Sequence, residues 1–214
     1  MKTKLALLLL LAITTFLEAQ QKTSKPDLST VFDTAQWQVV NREINFNNEV
    51  NFDARKGDGL LFLKDFEFTN GTIEADIRGE NKPGQSFVGI AFHGENDSTY
   101  DAVYFRPFNF QNKERSNHSV QYICMPKYNW SKLRNDFPGK YENTLNVVPD
   151  PNDWFHVKIV AINQRVKVYI EYSDIPALEV DMLSKAGKGW VGFWVGYGSK
   201  GSFKKLVIKP VDNN

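Results

Sequence analysis

The chain has 214 residues, a formal net charge of +1 and a single cysteine. The balanced charge provides no basic surface for nucleic acid or for an anionic membrane, and one cysteine excludes an internal disulfide. Length and composition predict one domain that is stabilised by its hydrophobic core, and we expect it to be a monomer.

The N-terminus has the three-part order of a secretory signal peptide. Residues 1–4 are basic, residues 5–16 are apolar, and residues 17–19 end in a small residue, Ala19. The apolar run is too short to span a bilayer comfortably. We therefore predict cleavage after Ala19 and a secreted or periplasmic protein. We predict no membrane span in the rest of the chain.

After this segment, residues 20–35 are mostly polar and predict a flexible lead-in. In residues 36–210, short runs that are apolar, or in which apolar and polar residues alternate, are separated by turns rich in Gly, Asn and Asp. This pattern predicts a single β-sandwich or barrel domain. No amphipathic helix of three turns stands out. The predicted strands are Trp37–Val40, Gly59–Leu63, Gly71–Arg78, Phe87–His93, Tyr100–Arg106, Ser119–Met125, Trp154–Ala161, Val166–Tyr172, Leu178–Val180, Trp190–Tyr197 and Phe203–Lys209.

Turn signals predict how some strands connect. The polar run 94–99 predicts a hairpin between the strands at 87–93 and 100–106. Asn70-Gly71 predicts a second hairpin, between residues 66–68 and 73–77, and Asn163-Gln164 predicts a third.

One long stretch, residues 126–151, has no clean periodicity but contains several aromatic residues. Long irregular segments in compact domains are usually functional or disordered, and the aromatic content argues against disorder. We predict an ordered loop across one face or edge of the sheet. Just before it, Cys124 lies in an apolar run and is interpreted as a small buried hydrophobe.

Two predicted strands, 87–93 and 100–106, carry the main functional signal, since side chains alternate between the faces of a strand. One face is bulky and apolar, with Val88, Ile90, Phe92, Val103 and Phe105. The other has a centre of small residues, Gly89, Ala91 and Ala102, with a rim of His93, Tyr100, Tyr104 and Arg106. Small residues ringed by aromatic and hydrogen-bonding groups predict a shallow polar site that suits a sugar.

Arg106 is the strongest single candidate for ligand binding. The proline after it favours an extended backbone, and its planar fork beside Tyr104 and Asn109 suits vicinal hydroxyls or a uronate carboxylate. The alternative is a structural salt bridge to Glu142 or Asp136 that holds the long loop.

Other candidates come from the following segment. Trp130 can be a stacking platform for a sugar or a plug that packs the loop onto the sandwich. The complete set of predicted substrate-binding residues is Tyr100, Tyr104, Arg106, Asn109, Gln121, Trp130 and Arg134.

If the protein is an enzyme, His93 or His118 is the predicted general acid or base, because imidazole titrates near neutral pH. The histidines have no metal-ligand spacing, so no metal site is predicted. Residues 95–98 with Asp101 leave a weak possibility of a structural calcium, and a plain polar turn is the alternative.

The strand Glu74-Ala-Asp-Ile-Arg-Gly-Glu80 superficially resembles the catalytic strand of family 16 glycoside hydrolases, in which carboxylates on one face act as nucleophile and acid/base. Alternation places Glu74 and Asp76 on one face, but Glu80 is one residue too far away. The alternative is a solvated sheet face.

Several stretches together resemble the concanavalin A-like lectin/glucanase sandwich. They are Asn70–Arg78, Trp154–Val160, Val166–Ile170, Gly189–Gly196 and Phe203–Lys209. The resemblance implies an all-β jelly-roll sandwich of two antiparallel sheets. Within that superfamily, the chain is similar to secreted bacterial laminin-G-like modules, near a family labelled 3-keto-disaccharide hydrolase. This resemblance implies a carbohydrate partner.

Three functions remain open at this point. The first is a secreted carbohydrate-binding protein that recognises or acts on glycans. The second is a glycoside-cleaving enzyme, either a hydrolase or a lyase, and the third is a structural or adhesion domain. The absence of a clear carboxylate pair leaves the enzyme question undecided.

Overall fold

The computed structural model describes residues 23–185 and 187–211. These residues form two antiparallel seven-stranded sheets, which share one hydrophobic core. The predicted signal peptide lies outside the described residues and stays a prediction. In the described part of the chain, no helix is long and apolar enough to cross a membrane.

The strands in chain order are β1 (Trp37–Val40), β2 (Ile44–Phe46), β3 (Val50–Phe52), β4 (Gly59–Leu63), β5 (Gly71–Arg78), β6 (Val88–Asn96), β7 (Thr99–Phe105), β8 (Val120–Met125), β9 (Glu142–Asn143), β10 (Phe155–Ile162), β11 (Arg165–Ile170), β12 (Leu178–Asp181), β13 (Trp190–Val195) and β14 (Gly201–Pro210). The front sheet has the order β1-β4-β13-β6-β7-β8-β9, and the back sheet has the order β12-β11-β10-β5-β14-β3-β2. One α-helix, α1 (Trp130–Asp136), and three short 3-10 turns, Leu28–Thr30, Pro107–Asn109 and Ser116–His118, complete the described elements.

This architecture confirms the predicted all-β jelly-roll sandwich. The observed bounds of β1, β4 and β5 are the same as those predicted from the sequence pattern. It missed β2, β3 and β9, because strands of two or three residues are too short for an alternating pattern to show.

The two sheets differ in how they are buried. In β10 of the back sheet, buried and half-buried residues alternate, as expected when one face packs on the core. In β13 of the front sheet, all six residues are buried. The face of the front sheet that points away from the core is therefore also covered, and the layer that covers it forms the base of a cleft.

Two of the three predicted hairpins form. Asn163 and Gln164 both have left-handed backbone conformations, with φ of 49° and 64°, and they close the turn that pairs Ile162 with Arg165. The hairpin between β6 and β7 also forms and closes at the pair Asn96 and Thr99.

The hairpin predicted at Asn70-Gly71 is wrong. Phe68 pairs with Gly189, next to the front sheet, whereas Gly71 pairs with Ala161 in the back sheet. The chain therefore crosses between the sheets at this point. Gly71 has φ of 143°, and a Cβ there would lie 2.2 Å from the carbonyl oxygen of Lys209, so the close approach of the two strands needs glycine.

The predicted flexible lead-in is packed onto the sandwich in its described part. Ser24 exchanges two backbone hydrogen bonds of 2.8 Å with Ile208, and Val31 is buried. β3 pairs with β14 only from Gly201 to Phe203. Ser24 thus pairs with a part of β14 that β3 does not reach.

Candidate functional site

Except at His93, the predicted faces of β6 and β7 are correct, but the small residues do not form an open floor. Ala91 and Ala102 are opposite each other in the register, between Gly192 on β13 and Ile123 on β8. Both alanines are 0% exposed. A ligand therefore cannot reach them.

Aromatic rings of the protein fill the space above the small residues. A Cβ at Gly89 would lie 2.7 Å from the Cβ of Tyr104, and one at Gly94 would overlap the ring of Trp190. The Tyr104 and Trp194 rings are 4.9 Å apart, and Trp194 Nε1 donates to the Tyr100 hydroxyl at 3.1 Å. We call these four rings, Tyr100, Tyr104, Trp190 and Trp194, the aromatic layer.

A cleft of about 990 Å³ lies on the aromatic layer, between it and the segments that follow β7 and β8. Six of the residues predicted from sequence line this cleft: Tyr104, Arg106, Asn109, His118, Trp130 and Arg134. Residues from the turns after β7, the segment before β8 and helix α1 thus meet at one place. These six residues are spread over about thirty positions of the sequence, from Tyr104 to Arg134, but form a single surface.

Tyr100 and Gln121, predicted to bind substrate, lie beneath the cleft. Tyr100 is buried and donates to Asp58 Oδ2 at 3.0 Å. Gln121 is buried, and its Oε1 accepts from the Tyr104 hydroxyl at 3.1 Å and from Arg106. They support residues of the cleft surface.

His93 lies on the other side of the front sheet from the cleft, so its predicted place on the rim is wrong. The register shifts between Phe92 and Asn96, and His93 has φ of 50°, which turns its side chain toward the core. Its Nε2 lies 2.7 Å from the carbonyl oxygen of Thr69, and its ring stacks on Phe68. Alternation fails here because the bulge adds residues to one strand.

Arg106 is 5% exposed and is held on several sides. Nη1 donates to the carbonyl oxygen of His118 at 2.9 Å, and Nη2 donates to Tyr104 and Gln121. Burial lowers the pKa of Arg106 and raises the pKa of Tyr104 to about 12. Glu142 Oε2 lies 3.9 Å from Nη1 of Arg106. The structural salt bridge between Arg106 and Glu142, which was the alternative to ligand binding, is therefore present in the cleft wall.

Glu142 brings together three cationic or basic side chains from separate segments: Arg106, Arg134 and His118. Arg134 forms a two-pronged pair with it, Nε to Oε1 at 3.0 Å and Nη2 to Oε2 at 2.7 Å, and His118 Nδ1 lies 2.7 Å from Oε2. Burial alone would raise the pKa of Glu142, but the two hydrogen bonds from Arg134 and the nearby His118 imidazole outweigh burial and lower this pKa. The Glu142 carboxylate is therefore ionised.

Helix α1 places two of the predicted residues on the cleft. Asn129 caps it by accepting from the backbone N–H of Lys132 at 3.0 Å, and Leu133 anchors it in the core. Trp130 and Arg134 are four residues apart and so share a face, with the guanidinium carbon 5.2 Å from the ring. Trp130 remains 50% exposed and presents an aromatic surface to solvent.

The sequence analysis missed several cleft residues, among them Asp58, Phe87, Phe108, Met125, Trp194 and Tyr197. Asp58 stands just before β4, in a part of the chain with no other functional signal. Burial raises the pKa of Asp58, although its bond from Tyr100 opposes this. Trp194 was detectable, since it is on the same face as Trp190 in a predicted strand.

The carboxylates of β5 lie on the back sheet, away from the cleft. Lys205 Nζ is 2.8 Å and His156 Nδ1 is 3.0 Å from Asp76, and Lys209 Nζ is 2.7 Å from Glu74. These contacts fit the alternative of a solvated, charged sheet face.

The residues considered for calcium do not converge. Asp101 is buried on the core side, where the Tyr122 hydroxyl donates to it at 2.6 Å, whereas Asn96 caps the exposed turn at Ser98. Within residues 23–185 and 187–211, no group of three or more His, Cys, Asp or Glu side chains could hold a metal ion.

Comparison with protein families identifies the chain. The family model of the 3-keto-alpha-glucoside-1,2-lyase-like domain matches residues 26–209. The chain belongs to this family. No curated protein sequence matches it.

Solved structures show the same fold at low sequence identity. The carbohydrate-binding module CBM66 from Bacillus subtilis has 16% identity and a TM-score of 0.59, with 81% of this chain and 95% of that chain covered. A putative glycosyl hydrolase from Parabacteroides distasonis has 13% identity and a TM-score of 0.54, with 83% and 89% covered. The exoplasmic/lumenal domain of VIP36, in a Ca2+/Man3GlcNAc-bound form, has 11% identity and a TM-score of 0.58, with 84% and 86% covered.

Ala102→Leu tests the packing of the aromatic layer. A larger side chain has no room beneath the rings, so we expect the free energy of unfolding to fall by about 1–3 kcal/mol in chemical denaturation. Ala54→Leu, at an exposed loop position, is the matched control and should change it by less than about 0.5 kcal/mol. Wild-type stability of Ala102→Leu would mean that the layer leaves open space.

Glu142→Gln tests the carboxylate that joins the cleft segments. Folding lowers the pKa of Glu142 below its ordinary value of 4.5, so its ionised form stabilises the native state above that pH, and the contribution disappears as the pH falls through the native pKa. We expect the variant to lose about 1–3 kcal/mol of unfolding free energy at pH 7, and the difference from wild type to shrink below about pH 4.

The control for this measurement is Asp136→Asn, which removes an exposed carboxylate paired with Lys132 on helix α1. Its effect should stay below about 0.5 kcal/mol at both pH values. Equal losses for Glu142→Gln at pH 7 and pH 3 would contradict the ionic role of Glu142.

Proposed function

We propose that the cleft binds a carbohydrate, and that the protein recognises or processes glycosides. The observation that carries the proposal is the exposed Trp130 ring beside Arg134, on the wall that also contains His118 and Asn109. An aromatic face suits the C–H surface of a sugar ring, while arginine, histidine and asparagine offer hydrogen bonds to hydroxyl groups.

The family and the fold support this proposal. The description of the family model names a 3-keto-α-glucoside. Proteins of the same fold include a carbohydrate-binding module and a Man3GlcNAc-bound form of VIP36. The cleft, of about 990 Å³, is also in the size range of small-molecule sites.

Trp130→Ala tests carbohydrate binding at this wall. Removing the stacking surface should weaken binding of an α-glucoside by about tenfold or more, which corresponds to about 1.4 kcal/mol, in isothermal titration calorimetry. Trp154→Ala is the matched control, since that ring lies beneath Arg78 and Lys204 on the back sheet. Equal affinities of Trp130→Ala and wild type would contradict the proposed position of the sugar.

A second candidate function is cleavage of a 3-keto-α-glucoside by elimination, and the pair of His118 and Glu142 favours it. Nδ1 lies 2.7 Å from the carboxylate, which places the imidazole beside a negative charge and leaves Nε2 to act as a base. In such a reaction the base removes the proton at C2, which the C3 ketone makes acidic. The electron pair then forms the C1=C2 bond as the C1–O bond breaks, and the departing oxygen gains a proton.

The positive charges of Arg106 and Arg134 are on the same side of the cleft as His118. They can stabilise the negative charge that develops on the ketone oxygen during proton removal. Glu142 offsets part of this charge and holds the imidazole in place.

His118→Ala distinguishes the two candidate functions. If the cleft is catalytic, kcat for release of the leaving group from a 3-keto-α-glucoside should fall by roughly 10²- to 10⁴-fold, while His156→Ala on the back sheet should leave it unchanged. Mass spectrometry should detect the unsaturated ketone as the product. If the wild-type protein binds the 3-keto-α-glucoside without product formation, the protein is a binding module and the lyase candidate fails.

A further inference from the structure

The floor of the cleft consists of aromatic and aliphatic surface whose polar atoms are already bound within the protein. Trp194 Nε1 donates to Tyr100 at 3.1 Å, and the Tyr104 hydroxyl donates to Gln121 at 3.1 Å while it accepts from Arg106. These floor groups therefore have little hydrogen-bonding capacity left for a ligand.

One end of the cleft adds further apolar side chains. Phe87 and Phe108 meet edge to face with ring centroids 5.6 Å apart. A Cβ at Gly196 would lie 2.8 Å from Phe87 and 2.9 Å from Trp194, so these two rings are neighbours. Ile123 and Met125 continue the apolar lining toward helix α1.

A group of side chains that can still bind hydroxyl groups lies on the opposite wall. His118, Arg134, Asn129 and Ser131 line the cleft around Trp130. Gln121 on β8 lies beside Trp130, since its Nε2 donates to the Trp130 carbonyl oxygen. In the sheet, β8 is three strand spacings from β13, which carries Trp194. The two ends of the cleft are therefore about 14 Å apart. This span exceeds one sugar ring, so the two ends meet different parts of one ligand.

We propose that the cleft takes a glycoside with a flat, apolar aglycone, rather than an oligosaccharide. This inference rests on the proposed function. The sugar lies at the wall of Trp130, His118 and Arg134, and the aglycone lies on Phe87, Phe108 and Trp194. These three rings offer no free hydrogen-bonding group, so the hydroxyls of a second sugar that lay on them would lose water without a partner from the rings. An aromatic ring gains there by burial of its apolar surface.

The test compares phenyl with methyl glycosides of the same sugar by isothermal titration calorimetry. The panel contains both anomers of the glucosides, galactosides and mannosides, and the 3-keto-α-glucosides. For the sugar that binds, the phenyl glycoside should bind about tenfold tighter than the methyl glycoside or more. Free phenol should bind far more weakly than the phenyl glycoside.

Phe108→Ala should reduce this phenyl preference to about twofold and leave the affinity for the methyl glycoside within about twofold of wild type. Phe108→Leu should give an intermediate preference, and it serves as the second variant if Phe108→Ala does not fold. Phe32→Ala is the matched control, because Phe32 is 61% exposed and lies outside the cleft lining. It should change neither affinity.

Equal affinities for phenyl and methyl glycosides, or an unchanged preference in a folded Phe108→Ala, overturn the inference about the aglycone but leave carbohydrate binding standing. Absence of binding to every glycoside in the panel overturns the proposed function and the inference with it. Phenol that binds as tightly as the phenyl glycoside also overturns both, because the sugar would then contribute nothing.

Discussion

The buried carboxylate of Glu142 is the interaction on which the cleft depends. It contacts Arg134 from helix α1, His118 from the turn before β8, and Arg106 at the end of β7. These segments have little secondary structure of their own, and α1 has only seven residues, too few to be stable as an isolated helix. The ionic network, with the short strand β9 that carries Glu142, fixes their positions against the edge of the front sheet.

The second constraint is the room left by small residues beneath the aromatic layer. Gly89, Ala91 and Ala102 leave room for large rings on the front sheet, so that both faces of that sheet are buried. Three of its four rings form hydrogen bonds within the protein: Trp194 donates to Tyr100, Tyr100 to Asp58 and Tyr104 to Gln121. The pattern of small residues was a true signal of something unusual on this face, but the rings of the protein occupy the space.

Together the two constraints divide the cleft by chemistry. The network concentrates charged and hydrogen-bonding groups at the wall of α1, and the rings of Phe87, Phe108 and Trp194 give the far end apolar surface, although Asp58 also lines the cleft. A ligand that satisfies both ends has a polar part and an apolar part. A binding module and an enzyme would both need this division, and the pair of His118 and Glu142 adds a group that can move a proton.

The sequence alone determined the fold class, because alternation over short runs follows from strand geometry. It also predicted six of the cleft residues, among them Arg106, Trp130 and Arg134, because aromatic and hydrogen-bonding side chains are concentrated in that part of the sequence. It did not determine which face His93 occupies, since one bulge reverses alternation. Nor did it show that Asn70-Gly71 crosses between sheets, since a turn signal does not specify which strands meet. Tertiary structure alone decided that Asp58, Phe87 and Trp194 join the cleft, because long-range pairing brings distant strands side by side.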